Sequence, residues 1–304
     1  MRRNPLSATC GFSAPGSADR GASRRSSSPV TAGGGGAHLG AERYAAYLET
    51  PAGRLRCELA FANLQEFLPR QAPGILRALD LGSGTGEIGI RLARLGFHVT
   101  LLDHSPQMLE ASERAARRAG VSSRVALTQG DVAASPSLFP EGSFDVIVCH
   151  HVLEYTPHPA LVIRGAARVL RRVPQAILSV VARNRAGAVL SAAIQSGDLA
   201  AAERALMVEA ADRSPNGGGA RLFTPAELRA MLTDASCEPV AERGVRVVFD
   251  YLPASAGCEA GADRVVALER ALGARAEFSA VARYTQLLAR PNVDVHARVE
   301  GGTQ

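Results

Sequence analysis

The chain has 304 residues, of which 46% are hydrophobic, and a formal net charge of +5. This length allows one large domain or two small ones with a substantial core, and no apolar run approaches the length of a membrane-spanning helix. Its five cysteines are scattered without a C-x-x-C pair, which argues against a zinc site or a disulfide framework and favours reduced thiols in a cytoplasmic protein.

The basic residues are all arginine, and the chain contains no lysine. This excludes a lysine base, a Schiff base and a Walker-type phosphate site. Residues 1–40 hold five arginines and one acid, so they carry +4 of the net charge and the remaining residues carry about +1. The body of the protein is therefore not strongly basic, and a nucleic-acid partner would need a local basic patch.

The first 40 residues are rich in Ser, Gly, Ala and Pro and hold few large apolar side chains. Such a segment cannot bury enough surface to offset its ordering entropy, so we expect a disordered tail over 1–40. Its arginine- and serine-rich, acid-poor composition is also typical of a transit peptide. A start codon assigned too early is a third interpretation.

From residue 41 the hydrophobic pattern predicts a domain that extends to residue 291. A helix is expected over Arg54–Leu68, and Ser105, with Pro106 behind it, should cap a later helix. Strands and helices then alternate, and the strands read as continuous apolar runs, which is typical of a doubly wound α/β fold with a seven-stranded sheet. The first five strands are predicted at Ala78–Leu81, His98–Leu102, Arg124–Thr128, Phe144–Cys149 and Ala176–Val181.

The alternation breaks after the fifth strand. Residues 183–222 contain a helix-like stretch, Leu199–Ala211, and the loop SPNGGGAR, which we interpret as a lid insertion. Thr224 should cap a further helix, with Pro225 and Glu227 behind it. Two more strands are expected at Glu238–Phe249 and Ala282–Ala289, with a helix at Asp263–Leu272 between them, and residues 292–304 read as a frayed tail.

A glycine-rich turn follows the first strand in the sequence ALDLGSGTGE, residues 78–87. Gly82, Gly84 and Gly86 stand at alternate positions, so the backbone can approach a ligand closely. A dinucleotide site requires G-x-G-x-x-G, and here the third glycine falls one residue early. The turn instead resembles motif I of the class I S-adenosylmethionine (SAM) methyltransferases, where the loop passes the methionine part of SAM.

Acidic residues follow the neighbouring strands. Asp103 ends the second strand, where a carboxylate can accept both ribose hydroxyls of a nucleoside; otherwise it is a cap or turn residue. Asp131 and Val132 follow the third strand, where enzymes with this motif bind adenine, although an isolated GDV also fits a turn. Asp80 either contacts the amino group of the cofactor or only braces the glycine loop.

Two histidines end the fourth strand, which reads FDVIVCHHVLEY. They lie at the carboxyl edge of the sheet, where ligands bind in such folds. Adjacent residues of a strand point to opposite faces, so His150 and His151 are a poor metal site, and we expect no metal. We assign His150 to the cofactor pocket.

Several blocks together resemble the tRNA 5-carboxymethoxyuridine methyltransferase family over about residues 43–291. They are GRLR, HHVLEY, VVARN, RGVRVVFDYL and ARYTQLLARP. The resemblance implies a Rossmann-like methyltransferase fold and SAM as cofactor. It also implies that SAM is held by Arg56, Gly82, Ser83, Asp103, Asp131, Val132 and His150.

The resemblance further implies a tRNA carboxylate as the methyl acceptor, and a small-molecule acceptor is the alternative. A carboxylate needs no general base, whereas for a phenol or amine the candidate bases are His151, Asp250 and Tyr251. A SAM-binding accessory module without turnover is the alternative outside the enzymes. We expect no membrane partner, and the sequence leaves the oligomeric state open.

Overall fold

The structure is a computed structural model that describes residues 40–69, 74–207, 220–252 and 262–293. The predicted tails at 1–40 and 292–304 lie almost wholly outside the described residues, as does the loop SPNGGGAR. In the part of the chain that is described, no helix is long and apolar enough to cross a membrane. The domain boundaries remain a prediction.

Seven strands form one sheet in the order β3-β2-β1-β4-β5-β7-β6. Strands β1 to β5 run parallel, whereas β7 is antiparallel to both β5 and β6. This confirms the predicted α/β fold with a seven-stranded sheet. The strands are β1 Arg77–Leu81, β2 His98–Asp103, β3 Val125–Gln129, β4 Val146–His150, β5 Ile177–Arg183, β6 Cys237–Val245 and β7 Tyr284–Pro291.

Helices cover the sheet and connect its strands. In chain order they are α1 Ala41–Leu48, α2 Pro51–Gln65, α3 Glu87–Arg94, α4 Pro106–Arg118, α5 Ser135–Leu138, α6 Pro159–Val169, α7 Arg185–Gln195, α8 Leu199–Met207, α9 Pro225–Asp234, α10 Ala262–Gly273 and α11 Ala276–Ser279. Short 3-10 turns occur at Ser122–Arg124, Val132–Ala134 and Phe249–Tyr251.

Burial follows the position of each strand in the sheet. The central strand β4 is buried from Val146 to Cys149, and β5 is buried from Ile177 to Ala182, because helices cover both of their faces. Strand β3 is not buried in this way. This strand lies at the edge of the sheet, and Leu127 is exposed.

Local capping signals locate several helix starts. The Ser105 hydroxyl accepts from Met108 N at 3.3 Å and begins α4, as predicted. Thr224 and Glu227 form a reciprocal capping box at the start of α9. Helix α2 begins earlier than predicted, because Thr50 caps it and Pro51 occupies its first turn.

Two boundaries near the carboxyl end differ from the prediction. Strand β6 ends at Val245 because Arg246 has φ +60, a conformation that breaks the extended backbone, and Phe249 falls in a 3-10 turn instead. The last strand begins at Tyr284 rather than Ala282.

Between β5 and α9 the chain also forms α7, which the sequence pattern did not predict. Asn184 caps this helix, and its side chain accepts a hydrogen bond from Ala186 N.

Candidate active site

The predicted site residues meet at the carboxyl edge of the sheet, where β1 and β4 lie side by side. Leu81 pairs with Cys149, so the glycine loop and the two histidines leave neighbouring strands at the same level. The chain passes to β2 on one side of β1 and to β4 on the other. This is the switch point at which open α/β sheets bind ligands.

The glycine loop adopts left-handed backbone where the motif requires it. Gly82 has φ +64, and a Cβ there would lie 2.6 Å from Cγ2 of Val152. Gly84 has φ +54, and its Cβ would lie 3.2 Å from the ring of Tyr44. Side chains are thus excluded, and the buried hydroxyl of Ser83 has no hydrogen-bond partner among the described residues.

Asp103 joins the glycine loop to the next helix. It is 5% exposed, and its carboxylate accepts from Gly84 N at 2.8 Å and from Ser105 N at 2.9 Å. The turn role considered from the sequence is therefore present. A carboxylate has about four lone-pair sites, so these two bonds leave acceptor capacity for ribose hydroxyls.

Asp80 is buried beneath the loop and accepts from Gly89 N of α3 at 3.0 Å. Burial raises its pKa to about 7, although the bond from Gly89 opposes this effect. The carboxyl group braces the loop and its helix, which is one of the two roles expected. Contact with a cofactor amino group remains a prediction.

Asp131 occupies an exposed turn after β3. Its carboxylate accepts from Ala133 N at 2.8 Å, and Val132 begins the 3-10 turn that follows. Gly130 N donates to Asp103 O at 3.1 Å, which holds this turn beside the end of β2. The adenine-binding role of Asp131 and Val132 remains a prediction.

Arg56 lies in a cage of tyrosines. It is 6% exposed, and its Cζ is 5.9 Å from the ring centre of Tyr44, 4.9 Å from that of Tyr47 and 6.0 Å from that of Tyr284. Its Nη2 donates to Tyr44 Oη at 3.1 Å, and no described carboxylate forms an ion pair with it. A buried guanidinium without an acid is a ready partner for an anionic ligand.

Gly53 explains why these tyrosines reach Arg56. It stands in the first turn of α2, and a Cβ there would lie 2.2 Å from the carbonyl oxygen of Tyr47. Only glycine therefore allows α1 to cross α2 so closely. The glycine of the GRLR block positions the arginine cage.

A second buried arginine shares two of these rings. Arg246 Cζ lies 5.8 Å from the ring centre of Tyr284, and its Nη1 is 3.4 Å from Tyr47 Oη. Its Nη2 pairs with the carboxylate of Asp250, which occupies the same 3-10 turn as Tyr251. We call Arg56, Arg246 and the three tyrosines around them the tyrosine–arginine cluster.

The two histidines have different surroundings. His150 Nε2 lies 2.8 Å from Ser179 Oγ. His151 has φ +58, and its Nδ1 is 3.4 Å from Glu154 Oε1, while its ring packs edge to face on Tyr284 at 4.7 Å. Burial lowers the pKa of each histidine well below the usual range, and the charge of Arg56 adds to this effect.

Glu154 is a buried acid that the sequence prediction missed. Burial raises its pKa to about 7, its Oε1 accepts from Arg183 N at 2.9 Å, and its Oε2 has no partner among the described residues. It lies in the HHVLEY block, which pointed to the region but not to this residue. The same holds for Arg246 and Tyr284, which fall in two other quoted blocks.

Unpartnered buried atoms concentrate at this edge of the sheet. Arg56 Nε, Ser83 Oγ, Arg246 Nε and Glu154 Oε2 are all buried without a hydrogen-bond partner among the described residues. Such atoms carry an energetic cost unless a ligand satisfies them. Cationic donors, a glycine cradle and an available carboxylate fit a cofactor that carries a carboxylate, an ammonium group and a ribose.

Comparisons with known proteins agree with this geometry. Residues 75–210 match a family model described as a methyltransferase domain. The chain is 30% identical over 203 residues to tRNA 5-carboxymethoxyuridine methyltransferase from Escherichia coli K12, which covers 67% of this chain and 75% of that protein. It is also 32% identical over 131 residues to ubiquinone biosynthesis O-methyltransferase from Xanthomonas axonopodis pv. citri, covering 42% of this chain and 53% of that protein.

Solved structures share the fold at lower identity. Magnesium protoporphyrin IX methyltransferase from Synechocystis PCC 6803, with bound SAH, is 15% identical with a TM-score of 0.54, covering 83% of this chain and 94% of that chain. The cyclase SpnF is 22% identical with a TM-score of 0.52, covering 79% of this chain and 82% of that chain. A cyclase on the same fold means that the fold alone does not fix the reaction.

Proposed function

Because this chain belongs to the class I SAM-dependent methyltransferases, we propose that it transfers the methyl group of SAM to a carboxylate, that of 5-carboxymethoxyuridine in tRNA. The observation that carries this proposal is the excess of buried positive charge beside the histidines. The similarity to the tRNA enzyme of Escherichia coli supports the same acceptor.

The predicted cofactor residues would divide the work among the parts of SAM. Arg56 would bind the carboxylate, the loop of Gly82, Ser83, Gly84 and Gly86 would receive the methionine part, and Asp103 would accept from the ribose. The turn at 131–132 would flank the adenine, and His150 would complete the pocket. When bound, SAM supplies an activated methyl group on its sulfonium.

Positive charge dominates the place where an acceptor would meet this pocket. Burial by itself would raise the pKa of Tyr284, but the charges of Arg246, Arg56, Arg283 and Arg183 outweigh it and lower that pKa. Of the acids near these arginines, Asp250 is paired with Arg246, and Glu154 is only partly ionised near neutral pH. Glu269 is bound to the backbone N–H groups of Val247, Val248 and Phe249. An anionic acceptor would gain from this field, whereas a cationic amine would be repelled.

A carboxylate acceptor also matches the proton chemistry of the site. It is already a nucleophile at neutral pH, so no side chain has to remove a proton. Asp250 then serves Arg246 rather than acting as a base, and Tyr251 is not required. The protein contributes alignment of the reacting atoms and exclusion of water.

One observation favours a second candidate, a phenol acceptor. The contact between His151 and Glu154 has the geometry of a base held by a carboxylate, and a phenol requires a base. The 32% identity to a ubiquinone biosynthesis O-methyltransferase also supports methyl transfer to an oxygen of a small molecule. This candidate predicts that His151 is indispensable, whereas the carboxylate proposal predicts that it is not.

The test offers purified protein and SAM to tRNA that carries 5-carboxymethoxyuridine and, separately, to a set of phenolic compounds. Nucleoside mass spectrometry should detect the methyl ester in the tRNA. In a deletion strain the same ester should disappear. If the purified protein forms no ester and the deletion strain still contains it, the tRNA proposal is contradicted and only the methyltransferase assignment remains.

Matched variants separate the two acceptors. Arg246→Met should raise KM for a carboxylate acceptor, whereas Arg229→Met, which removes an exposed pair with Glu242, should not. His151→Gln should leave the rate on a carboxylate within a few-fold. On a phenol it should lower kcat by about 100-fold or more, the usual contribution of a general base.

A further inference from the structure

A chain of buried amides and a hydroxyl runs from helix α2 to His150. Asn63 Nδ2 donates to Gln286 Oε1 at 2.9 Å, and Gln286 Nε2 donates to Ala60 O and to Ser179 Oγ, both at 3.0 Å. Ser179 Oγ in turn lies 2.8 Å from His150 Nε2. Ser179 and Gln286 are fully buried and Asn63 is 4% exposed, so protein groups alone set the direction of each bond.

The donor and acceptor in each of these hydrogen bonds follow from the carbonyl oxygen of Ala60. The carbonyl oxygen of Ala60 is a backbone acceptor and cannot donate, so the NH₂ group of Gln286 must face it. The second N–H of that group then points to Ser179 Oγ. Asn63, which donates to the remaining oxygen of Gln286, agrees with this orientation.

Ser179 has one proton and receives a bond from Gln286. Its remaining described partner is His150 Nε2, so the hydroxyl donates to that nitrogen. A ring nitrogen that accepts carries no proton. His150 is thereby defined as a neutral imidazole with its proton on Nδ1.

We propose that Ser179, Gln286 and Asn63 are positioning residues that fix this tautomer, so that His150 presents an N–H donor at Nδ1 to an oxygen of the cofactor. This inference rests on the proposed placement of SAM beside His150. It specifies the direction of the hydrogen bond between His150 and the cofactor: the protein donates and the cofactor accepts. A histidine with the opposite tautomer would present a bare nitrogen and would repel the same oxygen.

The chain of bonds also ties two cofactor contacts together. Arg56, Ala60 and Asn63 stand four and three residues apart, so they share one face of α2. That face is held on the sheet through Gln286, which lies two residues after Tyr284 on the same face of β7. The same register of β7 therefore orients His150 and places Arg56 in its cage of tyrosines.

The surroundings of His150 also favour a neutral imidazole ring. Burial lowers its pKa well below the usual range, and His151 and Arg56 both oppose a positive charge on the ring. The ring therefore stays neutral through the physiological range, and only its tautomer has to be chosen.

The test reads the tautomer directly. Full-length protein labelled with ¹⁵N-histidine is observed by two-bond ¹H–¹⁵N correlation, and the His150 signals are assigned by their loss in His150→Gln. We expect a protonated Nδ1 and an unprotonated Nε2 at pH 7. An imidazolium, or a proton on Nε2, would overturn the proposal.

Variants test the cause and the consequence. In Ser179→Ala the tautomer of His150 should no longer be fixed, and SAM binding should weaken by about fivefold, the usual effect of one hydrogen bond. Ser179→Thr should restore the tautomer and the affinity. Ser279→Ala, at another buried serine, should change neither. A Ser179→Ala protein with an unchanged tautomer, or with a changed tautomer and unchanged SAM affinity, would refute the inference. None of these measurements involves a methyl acceptor, so a failed tRNA assay would leave the outcome intact.

Discussion

Arg56 shows how a single side chain can be costly for the fold and useful for the ligand. A buried cation without an acid is unfavourable, because ring contacts return only part of the lost hydration. The residue is retained at the edge of the sheet where the ligand is predicted to bind. Stability and affinity should therefore respond to its removal in opposite directions.

Replacing Arg56 by Met tests this opposition. We expect a higher melting temperature without ligand, because the unpaired charge is gone, and SAM affinity weaker by about 1.5–3 kcal/mol, the range for hydrogen bonds to a charged group. Thermal unfolding and calorimetry measure the two quantities. Arg54→Met on the exposed side of the same helix, where the side chain is 62% exposed, is the matched control. Unchanged SAM affinity would remove Arg56 from the cofactor site.

The raised pKa of Asp80 leads to a prediction about proton release when SAM binds. Its pKa of about 7 in the free protein would fall if the ammonium group of SAM came to lie beside it, since a positive charge favours the ionised carboxylate. Binding would then release a proton at pH 6 to 7, and affinity would rise with pH up to about 7 and level off above it. Calorimetry in buffers of different ionisation enthalpy detects that proton. If wild type and Asp80→Asn release the same number of protons, Asp80 only braces the loop.

At the scale of single elements, helix α9 is held by a capping box that the sequence predicted. Thr224 Oγ1 accepts from Glu227 N at 3.2 Å, and Glu227 Oε2 accepts from Thr224 N at 2.6 Å. Thr224→Ala should lower the free energy of unfolding by about 1 kcal/mol, measured by urea titration. Thr233→Ala, at an exposed position near the other end of α9, should have a much smaller effect. Equal losses in the two variants would argue against the capping role.

Elements with local signals were the ones the sequence could predict. Ser105 and Thr224 start their helices through contacts with residues three positions away, so their patterns are self-contained. The predicted strand β6 ran past Val245 because only the positive φ of Arg246 ends it, and the residue types from Val245 to Phe249 do not indicate that. Helix α7 was missed although its cap, Asn184, is the last residue of the quoted block VVARN.

The candidate site was likewise predictable only where local sequence signals place its residues. The glycine loop, Asp103 and the histidines each follow a strand and could be placed on one edge of the sheet. The tyrosine–arginine cluster could not, because its members come from α1, α2, the turn after β6 and the start of β7. Only the antiparallel insertion of β7 beside β5, which pairs Arg183 with Tyr284, brings them together.

For the whole molecule, two truncations separate the predicted tail from the site. A protein that begins at Ala41 should keep its melting temperature and its SAM affinity, because residues 1–40 have the composition of a tail. A protein that begins at Pro51 also lacks Tyr44 and Tyr47 and should bind SAM more weakly, since Arg56 loses two of its rings. A drop of several degrees in the first protein would show that the tail packs on the domain.

The position of β7 has a consequence for synthesis on the ribosome. Roughly one hundred residues separate the end of β5 from the start of β7, and at ~5–20 residues per second their translation takes about 5–20 s. Throughout that interval β5, whose side chains are apolar from Val180 to Ala182, has an unpaired edge that could join to another nascent chain. The emerging protein is thus most prone to aggregation late in its synthesis, and a chaperone that binds extended apolar segments would be needed most at that stage.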